Sequence, residues 1–320
     1  MLRDGSTGSR KGDPAVAKRS LAGNLVHYRY FYLMLVPAIV LLFVFNYMPI
    51  YGIVISFQNF KLLKGVWGSE WVGLTNLLSL FNKPSFLTAL SNTVVISLLR
   101  LAFSFPAPIL FALLINEMRP GRFKKYVQTV SYLPYFVSWV IVSGMVIQVL
   151  SQRGLVNALI DLFGGQKINF IGDPFWFMVV LIVSGIWQGV GWGSVIYLSA
   201  LAGISRELYE SAHIDGASRL QQARYISLPG MYPMIIISLM LTISNILNAG
   251  FDQVFNLYNP SVYRVADIID TYMYRLAFRD VGGTNYSLAT AVGLFKNVVG
   301  FTLLYFSNRI VRRFSDYSFW

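Results

Sequence analysis

Apolar residues gather in six long runs, near residues 30–57, 87–117, 126–150, 175–203, 231–251 and 284–308, with shorter polar segments between them. A helix crosses the hydrocarbon core of a bilayer with about 20 apolar residues. Each run therefore predicts a transmembrane helix, and the chain as a whole an all-α integral membrane protein with about six spans. Six crossings return the chain to the side on which it started. The run 30–57 exceeds the apolar part of a cleaved leader, about 7 to 15 residues, and continues through Pro37 and Pro49. It reads as a retained first span. The expected organisation is a basic segment 1–29, a membrane domain 30–308 and a tail 309–320. No repeat of fixed period and no heptad pattern points to an array or a coiled coil.

Composition agrees. Only 12% of residues are charged, against about 25% in soluble domains. The net charge of +12 sits in short segments between apolar runs, with no single basic and aromatic face of the kind that binds nucleic acid. Sixteen Lys and Arg fall in segments 1–29, 119–125, 206–224 and 309–313, and eight in the connections on the other side. Short cytoplasmic loops carry the excess of Lys and Arg, so both termini are expected in the cytoplasm. The other connections are longer: 58–86, with Gly65, Gly68, Gly73, Trp67 and Trp71, and 252–283, with an amphipathic helix expected from Val265 to Phe278. Its tyrosines, Tyr258, Tyr263, Tyr272 and Tyr274, suit either anchoring at the membrane interface or a docked soluble partner.

Several chemistries lack their residues. There is no cysteine, hence no disulfide, thiolate ligand or thiol nucleophile. There is no glycine-rich loop ending in Gly-Lys-Ser or Gly-Lys-Thr for nucleotide phosphates. His27 and His213 stand far apart, outside any cluster of metal ligands. Gly189, Gly191 and Gly193 resemble part of a dinucleotide fingerprint but lie inside an apolar run; Gly189 and Gly193, four apart, are expected to let a neighbouring helix approach.

The connection 204–230 is different in character. Ser205 can cap a short helix, with Glu207 and Glu210 in or near its first turn against the helix dipole. Gly216 then permits a sharp turn, and Pro229 marks re-entry into the membrane. On that helix Leu208, Ser211 and Ala212 share a face suited to close packing in a groove of another protein.

Glu210-Ser211-Ala212, Asp215-Gly216-Ala217 and Leu228-Pro229 resemble the EAA loop of permease subunits in type I ABC importers. Ser211 stands where alanine is usual, and Ala223 where an aromatic residue is common. The stretch Tyr47 to Phe60, the segment Phe105 to Pro108, the run Phe255 to Pro260, and Ala291 to Lys296 are similar to the MalF/LplB-like branch of carbohydrate permeases. The resemblance implies a MetI-like fold and a non-catalytic subunit forming half of a pore for oligosaccharides, among which uronate-containing and alginate-type substrates occur. It implies a second homologous permease, two cytoplasmic ATPases that hold ATP and Mg, and an extracytoplasmic solute-binding protein. It also implies alternating access, driven through a coupling helix formed by Glu207, Glu210, Ser211, Ala212, Asp215, Gly216 and Ala217. No cofactor is implied on this chain.

Polar groups inside spans mark the candidate substrate path. Arg100 and Lys296 are the charged ones, suited to an anionic substrate or else to snorkelling or pairing with a carbonyl. Gln188 and Trp192 lie one turn apart on the fourth run, and Asn245 with Asn248 at i, i+3 on the fifth. These suit sugar hydroxyls and C–H faces, and equally hydrogen bonding between helices. Asp267, Asp270 and Asp280, among Arg264, Arg275 and Arg279, read as solvated charge. An ion-coupled secondary transporter would want acidic groups or broken helices at the midplane, and the runs hold no internal Asp or Glu. A membrane-embedded enzyme would need a carboxylate or histidine constellation, for which only those aspartates are available.

Overall fold

The computed structural model describes residues 27–278 and 285–314. Among them six helical stretches are long and apolar enough to cross a membrane: Arg29–Phe57, Pro84–Glu117, Trp139–Leu162, Pro174–Ala202, Arg219–Ser244 and Tyr286–Arg313. The described residues fall into two units, one up to Ile53 and the other from Val54 onward. In the first, helix Arg29–Leu42 passes into a wide π-helical turn, Phe43–Tyr47.

Two further wide turns lie in the second unit, at Arg100–Ser104 and Ala223–Ser227. Each of the three ends two residues before a proline: Pro49, Pro106 and Pro229. Proline offers no N–H, and its ring collides with the carbonyl four residues back. Widening the preceding turn moves that carbonyl aside and closes a longer ring, as where Phe105 N–H donates to Arg100 O at 2.9 Å. The helices thus continue through their prolines with a local bulge.

Two predicted spans differ from the observed ones. The run 126–150 is not one helix: Arg122–Tyr132 ends in the turn Leu133–Phe136, the chain extends at Val137 and Ser138, and Trp139–Leu150 follows. Pro134 removes a helical donor there. The fifth span begins at Arg219 and stops at Ser244, short of residue 251. Asn245 leaves helical geometry at φ −97°, ψ 18°, and Gly250 takes φ +80°, which starts a separate helix, Phe251–Leu257.

The expected helix from Val265 is also broken. It comprises Tyr263–Ala266 and Ile269–Phe278. Thr271 caps the second piece, its hydroxyl accepting from Ile268 N–H at 2.9 Å. Thr93 of the second span accepts from Ile269 N–H at 2.8 Å. Tyr272 is buried in the core and is no interface anchor.

The core has three centres. Phe86, Ala89, Ile269, Leu276 and Val292 join the second span, helix Ile269–Phe278 and the sixth span. Ile96, Phe177, Leu181, Val254 and Ile268 join the second and fourth spans to Phe251–Leu257. Ile109, Ala112, Tyr197, Leu201 and Met231 join spans two, four and five. Close approach to the fourth span uses Gly191 and Gly193, where a Cβ would lie 2.0 Å from Ser131 O and 3.0 Å from Pro108 Cγ. Gly189 has nothing within 4 Å, contrary to expectation.

Candidate functional site: a tethered surface helix and two polar clefts

The connection after the fourth span folds as helix Arg206–Ile214. Ser205 occupies the capping position, but its side chain makes no cap bond, and Glu207 is the acidic residue of the first turn. Glu210 reaches Arg206 at 3.6 Å; both are exposed, so the pair contributes little. The C-terminal end is closely specified. Ala217 N–H donates to Ala212 O at 2.8 Å and Gly216 N–H to His213 O at 3.1 Å, with Gly216 at φ +77°. This is a Schellman stop, and glycine adopts its left-handed residue without the penalty a Cβ brings.

Two contacts tie this connection to the spans. Tyr209 OH meets the buried Ser227 Oγ at 2.9 Å, within the bulge of the fifth span. Arg219 donates to Glu117 at the end of the second span, at 3.1 Å. Tyr209 and Ala212 turn half inward, so Ala212 leaves the outer face expected for it. Glu207, Leu208, Ser211 and Asp215 stay exposed, as do Ser218 to Leu220, while Ala217 is half-buried. Apolar Ile214 and Leu220 are 85% and 80% exposed.

The candidate path residues separate into two groups. Gln188 donates to Val137 O at 3.3 Å, and Trp192 stacks on Tyr135 with ring centres 5.1 Å apart. They satisfy and cover the break in the third helical segment, the helix-joining alternative raised by their sequence. The other four meet around the end of the fifth span. A cleft of about 320 Å³ is lined by Ser97, Arg100, Thr242, Asn245 and Asn248. A second, of about 330 Å³, is lined by Asn245, Asn248, Lys296 and Asn297. Asn245 and Asn248 border both, but on a turn and not on a helix as expected: Asn248 N–H donates to Asn245 O at 2.8 Å.

The charges around these clefts are arranged differently from the sequence reading. Lys296 does not snorkel; its Nζ lies 2.6 Å from Asp270 Oδ1. Asp267 takes both nitrogens of the Arg275 fork, and this bonding raises the Arg275 pKa above its usual value. Asp267 and Asp270 are 8% and 7% exposed, so neither is solvated charge. Asp280 and Arg279 lie outside the described residues. Arg100 donates to Gln253 Oε1, a side-chain carbonyl. Sequence reasoning missed Gln253 and Tyr209 and misread Asp270, whose partners lie 153, 18 and 26 residues away.

Residues 104–316 match the family described as binding-protein-dependent transport system inner membrane component. The chain belongs to that family. It is 42% identical over 300 residues to the polygalacturonan/rhamnogalacturonan transport system permease protein YteP of Bacillus subtilis, covering 93% of this chain and 92% of that one. It is 39% identical over 289 residues to protein LplB of the same organism, covering 90% of each. Its fold matches a crystal structure of a bacterial ABC transporter involved in the import of the acidic polysaccharide alginate, with a TM-score of 0.82, 38% identity and coverage of 92% and 98%. A bacterial alginate ABC transporter in complex with an alginate pentasaccharide-bound periplasmic protein matches with the same TM-score, at 37% identity and the same coverage. This chain is accordingly a multi-pass permease subunit with the MetI-like fold of type I ABC importers, and it carries out no bond chemistry itself. Among the described residues no group of His, Asp and Glu could hold a metal.

Proposed function

We propose that the chain forms half of the pore of an oligosaccharide importer whose substrates are acidic, and that helix Arg206–Ile214 couples it to an ATPase. The observation that carries the coupling role is a helix with exposed apolar Ile214 and Leu208 whose inner face is bonded, through Tyr209, to a bulge in the fifth span. Apolar groups on the water side of a membrane protein call for a partner, and a push on this helix reaches the fifth span along the chain and through the Tyr209–Ser227 hydrogen bond. Glu207, Glu210, Ser211, Asp215 and Gly216 supply the docking face and its stop, while Ala212 and Ala217 hold it to the body.

The ATP and Mg reside on two cytoplasmic ATPase subunits, a second permease completes the pore, and a solute-binding protein delivers substrate from outside. Both termini and helix Arg206–Ile214 face the cytoplasm, in line with the Lys and Arg asymmetry. The substrate passes the clefts at Asn245 and Asn248, flanked by Arg100 and Lys296. The acidic character is supported by the substrates named for the relatives and by the Arg100 guanidinium, which lines the first cleft and has no carboxylate partner among the described residues.

The test is ATP-dependent uptake in proteoliposomes containing the assembled complex, with neutral and uronate oligosaccharides. The native complex is expected to import uronates, and the pair Glu210→Lys with Gly216→Pro to abolish uptake while the complex remains assembled. Uptake that persists without the ATPase subunits would sink the coupling role.

A further inference from the structure

We propose that Arg100, and not Lys296, reads the carboxylate of the substrate; this rests on the clefts at Asn245 and Asn248 being the substrate path. Arg100 lies sixteen residues after Pro84 and seventeen before Glu117 in its span, about 24 and 26 Å along the axis at 1.5 Å per residue. It stands near the middle of that span, and a cation inside an apolar span is expensive to keep.

The chain seats this guanidinium without neutralising it. Its Nη2 donates to Gln253 Oε1. The Gln253 amide is turned that way by its own nitrogen, which donates to Leu181 O at 2.8 Å and Ser184 Oγ at 2.9 Å. The guanidinium lies against Gly250, where a Cβ would fall 2.3 Å from Nη1 and 2.5 Å from Nη2. No ion pair among the described residues includes Arg100, whereas Lys296 has Asp270. Paired with Asp270, Lys296 brings no net charge to the second cleft; Arg100 brings a full one to the first.

One turn before Arg100, Ser97 is 7% exposed; the residue borders the same cleft, and its hydroxyl is buried without a hydrogen-bond partner. An unpaired hydroxyl and an uncompensated guanidinium beside one cavity are complementary to a single kind of guest, an anion accepting from both. Unpaired buried charge and unpaired buried hydroxyls are each unfavourable. Both are relieved by a carboxylate that arrives with the substrate, and the planar fork of arginine suits a carboxylate's two oxygens. Asn245 and Asn248 on the same wall offer donors and acceptors for the adjoining sugar hydroxyls.

The experiment compares uptake of a uronate oligosaccharide with uptake of its methyl ester, which keeps length and ring chemistry and removes charge. Assembled complexes are used, normalised to binding-protein-stimulated ATP hydrolysis. The native complex should prefer the acid, and Arg100→Met should lower the acid-to-ester ratio at least ~10-fold, the loss of about one charge-assisted pair. Should Arg100→Met not assemble, Arg100→Lys decides, because it keeps the charge and loses the fork. It should raise KM for the acid several-fold and leave KM for the ester in place. An unchanged ratio in Arg100→Met, or an equal rise of both KM values in Arg100→Lys, overturns the proposal. A native complex that imports both forms equally overturns it with the oligosaccharide reading intact; one that imports neither overturns the acidic-substrate reading with it.

Discussion

Asp270 and Lys296 are 26 residues apart in sequence and 2.6 Å apart in space, with side chains 9% and 21% exposed. Two opposite charges removed from water help little as a pair, yet removing one leaves the other stranded at a cost of about 3–5 kcal/mol. Asp270→Asn should therefore lower the thermal stability of the detergent-solubilised complex sharply. Asp270→Asn with Lys296→Met should recover part of the loss, because the second change removes the stranded cation. A double variant no more stable than the single would mean that Asp270 acts through contacts other than Lys296. At this scale the sequence was only partly legible. It marked Arg100 and Lys296 as unusual because a charge in an apolar run is visible without coordinates. It could not tell the neutralised cation from the bare one, since that depends on which aspartate folds back onto which span. Asp267 and Asp270 looked solvated because arginines flank them along the chain, whereas in the fold one of those arginines turns inward with Asp267.

The helical segments were legible where apolar period and length agree. The fourth span was expected at 175–203 and is Pro174–Ala202. They were illegible where a proline or an amide side chain redirects the backbone inside an apolar run, as at Pro134 and Asn245. The bulge at Ala223–Ser227 is the clearest case, because it permits Pro229 and also turns Ser227 toward Tyr209. Restoring an amide with Pro229→Ala allows this stretch to return to α register. That return removes the extra residue of the bulge and rotates Ser227 by about 100° relative to the rest of the span. The helix itself should be no less stable, since an interior proline is unfavourable. The bond to Tyr209, worth ~1 kcal/mol, should be lost. Sugar imported per ATP hydrolysed should then fall about 5-fold, and Tyr209→Phe should fall with it. Equal transport efficiency in Pro229→Ala and native complexes would show that the bulge accommodates the proline and nothing more.

At the scale of the whole molecule, orientation in the membrane decides what each surface can meet. In the proposed orientation the segments rich in Lys and Arg, 1–29, 119–125, 206–224 and 309–313, lie in the cytoplasm, and with them Ile214 at 85% exposure. The same proposed orientation puts the loop containing Leu63, fully exposed, outside. The chain has no cysteine, so a single introduced thiol reports one position without background. A membrane-impermeant maleimide should label Leu63→Cys in right-side-out vesicles and Ile214→Cys only in inside-out ones. In inside-out vesicles carrying the assembled complex, Ile214→Cys should be protected, and removal of the ATPase subunits should expose it. Labelling of both positions from the same side would contradict the alternation of spans between them. Labelling of Ile214→Cys that is indifferent to the ATPases would leave the orientation standing and remove the helix Arg206–Ile214 from the interface. The two questions, which side and which partner, are thus separated by one pair of residues: apolar groups in water need cover, and the side of the membrane decides what can provide it.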